Sequence, residues 1–167
     1  MARVIRDVVV LLNRLIQLHY DAIDACKAAV AHVEDSRARL QLGATLEDHR
    51  GHIDELAVVV RNLGGEPASP SDLRPLRVTK RHAGAPACEH ALLEALRRNE
   101  EGARAAYEDA ASLPGVPLDV LAALERNLAD QRKHLAWVQR RLETLLASSE
   151  EPRSTTLKAQ SRILRCG

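Results

Sequence analysis

The chain is 167 residues long, 46% hydrophobic and 28% charged, with two tyrosines, one tryptophan and no phenylalanine. That length supports one compact domain whose core needs no metal or disulfide staple, so a metal found here would be functional. The shortage of aromatics argues against sandwiches, barrels and base-stacking sheets and for helices built on Leu, Ala and Val. A formal charge of +1 leaves no basic field of the kind a nucleic acid requires.

Apolar residues at Val4, Val8, Leu11, Leu12, Leu15, Leu18, Ala22, Cys26, Ala29 and Val33 keep a three-to-four spacing that predicts a first helix. After the polar stretch Glu34-Asp35-Ser36-Arg37, a second stripe runs through Leu42, Leu46, Ile53, Leu56, Val60 and Leu63. It stops at Gly64-Gly65. Prolines 67, 70, 75 and 86 interrupt residues 65–86, which predicts a long connection, either crossing the bundle or holding a small helix around Leu73–Lys80. A third helix begins near Cys88, carries Leu92, Leu93, Leu96, Ala103, Tyr107 and Ala110, and ends at Pro114-Gly115. The fourth starts near Pro117 and carries Leu121, Leu124, Leu128, Leu135, Val138, Leu142 and Leu145.

A helix of about 26 residues is roughly 39 Å long, and about 20 extended residues can span that distance. Short, long and short connections therefore predict an all-α, four-helix bundle of up-down-down-up order, with its crossover between helices two and three. The bundle is expected over residues 1–148. Residues 149–167 read as a polar basic C-terminal tail, either disordered or a short docking helix that contacts a protein partner. Cys26, Cys88 and Cys166 form no C-x-x-C pair, which predicts no disulfide framework and suits a reducing cytosol. The N-terminus has no cleavable-signal pattern and no segment is long and apolar enough to span a membrane, so the expected location is cytoplasmic.

Polar residues interrupt the apolar stripes. His49 lies on the face of Leu42, Leu46, Ile53 and Leu56, with His52 one turn away. Gln131 and His134 repeat that spacing in the fourth helix, among Leu124, Leu128, Leu135 and Val138. Glu100 sits at the centre of the third stripe, and Asp21 and Asp24 lie near the middle of the first helix. A buried carboxylate needs a cation, a histidine or another donor. Asp21, Asp24, His49, His52, Glu100, Gln131 and His134 are therefore candidate ligands for Fe, Mn or Zn, with a metal-free hydrogen-bonded cluster as the competing reading. Asp48, Glu55 and Asp130 could orient an imidazole or form surface ion pairs. His19, His32, His82 and His90 read as exposed or structural, Tyr20 and Tyr107 as core or cavity-capping, and Trp137 as interface packing.

Four-helix carboxylate proteins take a Glu from each of two helices and Glu-x-x-His from each of the other two. Here the pairs read His49-x-x-His52 and Gln131-x-x-His134. That removes two negative charges and favours one divalent ion over a di-iron centre.

Several runs carry a family resemblance: Leu12-Asn13-Arg14-Leu15-Ile16 with Tyr20-Asp21-Ala22-Ile23-Asp24, Asp48-His49-Arg50-Gly51-His52, and Leu63-Gly64-Gly65-Glu66-Pro67. Asn99-Glu100-Glu101, Ala106-Tyr107-Glu108-Asp109-Ala110 and Asp130-Gln131-Arg132-Lys133-His134 continue it. Over about residues 3–147 the chain resembles the ferritin-like superfamily, in particular a bacterial single-domain group related to rubrerythrin and bacterioferritin. The resemblance implies metal binding in stress response or metal homeostasis, with oxidase-type chemistry as the activity in question. It sets His52 and His134 at ligand histidines, Glu100 at the third-helix ligand, and Asp21 or Asp24 near the first-helix ligand. His49 and Gln131 stand where that group has glutamates. A homo-oligomer, first of all a dimer, is expected, and a non-catalytic bundle that binds no metal is the alternative.

Overall fold

The computed structural model describes residues 2–70 and 88–150. The small helix considered around Leu73–Lys80, the body of the crossover and residues 151–167 of the expected tail lie outside the described residues. Four helices and no strand are present among the described residues: α1 (Ala2–His32), α2 (Ser36–Asn62), α3 (Glu89–Ala111) and α4 (Leu118–Glu150).

The turn from α1 to α2 is short because Asp35 caps the new helix. Its carboxylate accepts from the backbone N–H groups of Arg37 at 2.8 Å and Ala38 at 3.2 Å, satisfying two of the donors a helix start leaves open. At the other end of α2 the N–H of Gly65 bonds Val60 O and that of Gly64 bonds Arg61 O, both at 2.9 Å. This paired closure requires a left-handed residue, and Gly64 supplies it with φ 78°. Gly65 is needed for another reason, since a Cβ there would lie 2.7 Å from Val9 Cγ1 of α1. The Asn13 side chain then holds the departing chain, donating to Glu66 O at 2.9 Å and accepting from the Ala68 N–H at 2.7 Å.

Ion pairs reveal the helix directions. Arg141, late in α4, reaches Asp35 at the start of α2 at 2.9 Å and Glu89 at the start of α3 at 2.7 Å. The starts of α2 and α3 thus share one end of the bundle with the end of α4. Gly115, just after α3, lies beside Val4 near the start of α1. The order is up-down-down-up, as the loop lengths predict. α1 packs against α2 and α3, and α3 against α4, while α2 and α4 meet along a looser seam.

Leu12, Leu15, Ile16, Leu42, Leu56, Leu93, Leu96 and Leu124 are fully buried and form the centre of the core. Burying each such side chain is worth about 1.5–3 kcal/mol, which sustains a fold so poor in aromatics. Tyr107 is part of that core, and Tyr20 and Trp137 pack at its margin. No described helix is long and apolar enough to cross a membrane. One expectation is corrected: Cys88 is disulfide-bonded, whereas Cys26 is a free buried thiol. Sequence spacing gave no sign of this, because a disulfide requires closeness in space rather than along the chain.

Candidate metal centre

Eight polar residues interrupt the core: His19, Thr45, His49, His52, Glu100, Asn127, Gln131 and His134 are all buried. Five of them form two overlapping groups, His19 with His49 and His52, and His49 with Glu100 and His134. Within each group one potential ligand atom per residue lies within 4.8 Å of the others. Bonds of about 2.1 Å to a metal would bring opposite ligands to about 4.2 Å, so little movement separates these groups from a coordination shell. The four imidazoles are packed with ring centroids 5.0 to 6.4 Å apart.

Hydrogen bonds assign the protons. A carboxylate only accepts, so His49 donates from Nε2 to Glu100 Oε1 at 3.0 Å. His49 Nδ1 must then accept from His19 Nδ1, 3.0 Å away, which leaves His19 Nε2 to accept from the Tyr107 hydroxyl at 2.7 Å. Tyr107, His19, His49 and Glu100 form one directional chain across α1, α2 and α3. It is consistent with the titration behaviour of its members. Burial, reinforced by His49, His52 and His134, holds His19 well below the ordinary histidine value. Burial also pushes the Tyr107 hydroxyl up, only partly opposed by Asn127.

The other two histidines are tied outward. His134 donates from Nε2 to Asp48 Oδ2 of α2 at 3.0 Å, and His52 donates from Nε2 to Asp130 Oδ2 of α4 at 3.4 Å. Each helix thus supplies an Asp to the histidine of the other. This arrangement fixes the tautomer and leaves Nδ1 of both rings as a lone-pair donor. Burial lowers the pKa of His52 despite Asp130. At Asp130 burial works upward, but Lys133 and His52 outweigh it and hold the carboxyl below its ordinary value.

What remains is a set of buried atoms with no hydrogen-bond partner among the described residues: His52 Nδ1, His134 Nδ1, Glu100 Oε2 and both amide atoms of Gln131. Glu100 Oε2 is 3.9 Å from His134 Nδ1, two acceptors facing each other with no proton between them. Each unsatisfied buried group costs about 1–3 kcal/mol. A cation bound by these lone pairs would relieve that cost, so the donor set fits a divalent transition metal.

The structure thus gathers His49, His52, Glu100 and His134, buries Gln131 one turn before His134 on α4, and sets Asp21 and Asp24 apart. Asp24 is on the surface, 3.3 Å from Lys27 Nζ, beside an open cavity of about 440 Å³ lined by Tyr20, Lys27 and Arg50. Asp21 is half-buried outside the cluster, its pKa raised to about 6 by burial and then by Asp24. From α1 the cluster receives His19 instead. The signal is in the sequence: His19 continues Leu12, Leu15 and Ile16 towards Ile23 and Cys26, all buried, whereas the predicted stripe passes through Leu18, one position off. Asp48 and Asp130 orient imidazoles, while Glu55 forms a surface pair with Arg126 at 2.5 Å.

With this geometry established, comparison with known proteins adds the following. The family model described as "Domain of unknown function (DUF2383)" matches residues 7–112. No curated protein matches the sequence. Among solved structures, a ferritin-like diiron-carboxylate protein from Bacillus anthracis strain Ames is 23% identical, with TM-score 0.71 over 85% of this chain and 99% of its own. A variant of Dps1 from Mycobacterium smegmatis is 19% identical, with TM-score 0.69 over 84% and 97%. A dodecameric thioferritin, the bacterioferritin-related protein of Bacteroides fragilis, is 16% identical, with TM-score 0.68 over 90% and 92%. At these identities the likeness is one of fold, and the fold is ferritin-like.

Proposed function

The chain belongs to the DUF2383 family, and from that premise we propose that it is a ferritin-like protein that binds one divalent transition-metal ion at mid-bundle. The proposed ligands are His52 Nδ1, His134 Nδ1 and a Glu100 oxygen, drawn from both of the overlapping groups, so the His52 and His134 rings must close up on the ion while His49 and His19 complete the polar lining. The observation that carries this reading is the group of buried, unpartnered acceptors on α2, α3 and α4.

Charge sets the number of ions. Four carboxylates balance two divalent cations in a di-iron bundle; here the buried polar residues of the core include one carboxylate, Glu100. Glu100, Asp48 and Asp130 against Lys133 leave two formal negative charges at the site and its rim. One divalent ion brings that balance to zero, and a second would carry a net positive charge into a low-dielectric core. An imidazole-rich, carboxylate-poor donor set favours Zn, Co, Ni or Cu over iron and manganese, since affinity at nitrogen ligands rises along the first row towards copper. Bound there, such an ion would supply Lewis acidity rather than the paired-iron chemistry of an oxidase.

The diiron-carboxylate and thioferritin names of the neighbours support a metal-handling role, and the dodecameric neighbour supports a homo-oligomer; stress response or metal homeostasis as the setting and a dimer as the first unit are part of the proposal. A cytoplasmic location and kinship with rubrerythrin belong to the same reading. The hydrogen-bonded chain from Tyr107 to Glu100 favours a second one, in which the polar cluster satisfies itself and serves stability alone. Elemental analysis of untagged protein after loading and desalting separates the two. The metal reading expects one ion per chain, lost in a His52→Ala, His134→Ala double variant; the stability reading expects none.

A further inference from the structure

We infer that the seam between α2 and α4 at Asp48 and Asp130 is the port through which the metal cation reaches the buried histidines, and that Lys133 is the resident positive charge it displaces. The inference rests on the metal-binding reading above and concerns how that site is filled.

A divalent cation passing from water into a core must exchange its water ligands stepwise for protein ones, without crossing a dry apolar gap. The seam provides such a sequence. Asp48 is 53% exposed and Asp130 37% exposed, so both present carboxylate oxygens to water. Each holds the Nε2–H of a histidine that is 4% and 7% exposed respectively, His134 and His52. The second nitrogens of those rings are unpartnered inside the bundle. From rim to core the lone pairs therefore run from a carboxylate oxygen to an inner Nδ1 along each of the two crossed Asp–His pairs, and on the His134 side to Glu100 Oε2, 3.9 Å from its Nδ1.

The remaining routes are less suitable. The contacts of α1 with α2 and α3, and of α3 with α4, are close, and α2 and α4 are the loosely joined pair. The open cavity on the α1–α2 side sets Lys27 and Arg50 against Asp24 and Asp54, so its charges balance and none of its carboxylates holds a buried histidine. At the seam, by contrast, Lys133 Nζ is already held at 2.8 Å by Asp130 Oδ1. This exposed ammonium occupies a carboxylate oxygen that an arriving cation would take, and it can swing into solvent on a four-carbon stem.

The test is the rate at which chelator-treated full-length protein takes up Co²⁺, followed by its visible absorption after rapid mixing. Lys133→Met leaves the rim with two uncompensated carboxylates and is expected to speed uptake about tenfold at low ionic strength. The gain should shrink towards physiological salt, where the screening length is about 8 Å. Asp130→Asn and Asp48→Asn retain an oxygen that accepts from the histidine and are expected to slow uptake by a similar factor. Glu47→Gln, which removes an exposed carboxylate paired with Arg50, should behave as the parent. Parent protein that binds one Co²⁺ with rates unchanged in Lys133→Met and in both Asp variants overturns the port and leaves the metal site standing. A parent that binds no Co²⁺ overturns both.

Discussion

Replacing Glu100 by Gln should change stability in opposite directions with and without metal. Glu100 is fully buried; one oxygen accepts from His49 at 3.0 Å and the other has no partner among the described residues. Gln has the same size and keeps the acceptor for His49, while its amide N–H can donate to His134 Nδ1 across the present 3.9 Å gap. The variant loses a charge-assisted bond worth about 1.5–3 kcal/mol but is relieved of a buried charge whose desolvation costs several. In chelator the net expectation is a gain of about 1–2 kcal/mol, or roughly 2–8 °C in melting temperature for a domain of this size.

With metal the sign reverses. Glu100 is the one anionic ligand of the proposed set, and its loss should weaken binding by about 100-fold, or about 2.7 kcal/mol. At a metal concentration 100 times the parent's Kd, the parent gains about 2.7 kcal/mol and the variant about 0.4. Thermal melts of both proteins in EDTA and in Zn²⁺ or Co²⁺ provide the assay. A variant less stable than the parent in EDTA, with an undiminished metal-induced rise, would refute the reasoning.

Acid should destabilise the metal-free protein. His19 and His52 are held below the ordinary value of 6.5, principally by burial, so the unfolded chain takes up protons first. Their contribution is complete above about pH 6.5 and falls as pH drops towards their folded values, by at most about 1.4 kcal/mol per pH unit for each. Asp21 works the other way between 3.8 and about 6, so Asp21→Asn should steepen the acid loss in urea titrations run from pH 7 to 5. Gly65→Ala places a methyl 2.7 Å from Val9 Cγ1 and should cost about 1–3 kcal/mol in denaturant melts. Asn13→Ala removes both bonds to the chain leaving α2 and should cost about 1–2 kcal/mol, with faster hydrogen exchange at the Ala68 amide.

The architecture was readable because each device that builds it is local. The Asp35 cap, the Gly64-Gly65 stop and the apolar stripes lie in short runs, and connection lengths alone implied the crossover. The burial of polar residues was legible wherever one of them breaks an apolar stripe in the right register, as at His49, Glu100 and Gln131. His19 was missed by one position, since on a long helix Leu18 and His19 both satisfy a loose three-to-four spacing and only packing decides between them. Asp48 and Asp130 lie one residue before His49 and Gln131, and nothing along the chain indicates that each serves the histidine of the opposite helix. That pairing exists only once α2 and α4 face each other. The bond at Cys88 is likewise a property of the folded chain.

The central claim is that one divalent ion sits among α2, α3 and α4. A crystal structure of untagged protein loaded with Co²⁺, with diffraction recorded above and below the cobalt absorption edge, tests it directly. The account predicts one anomalous peak per chain within bonding distance of His52 Nδ1, His134 Nδ1 and a Glu100 oxygen. No peak at that position, or two peaks bridged by Glu100, would contradict it.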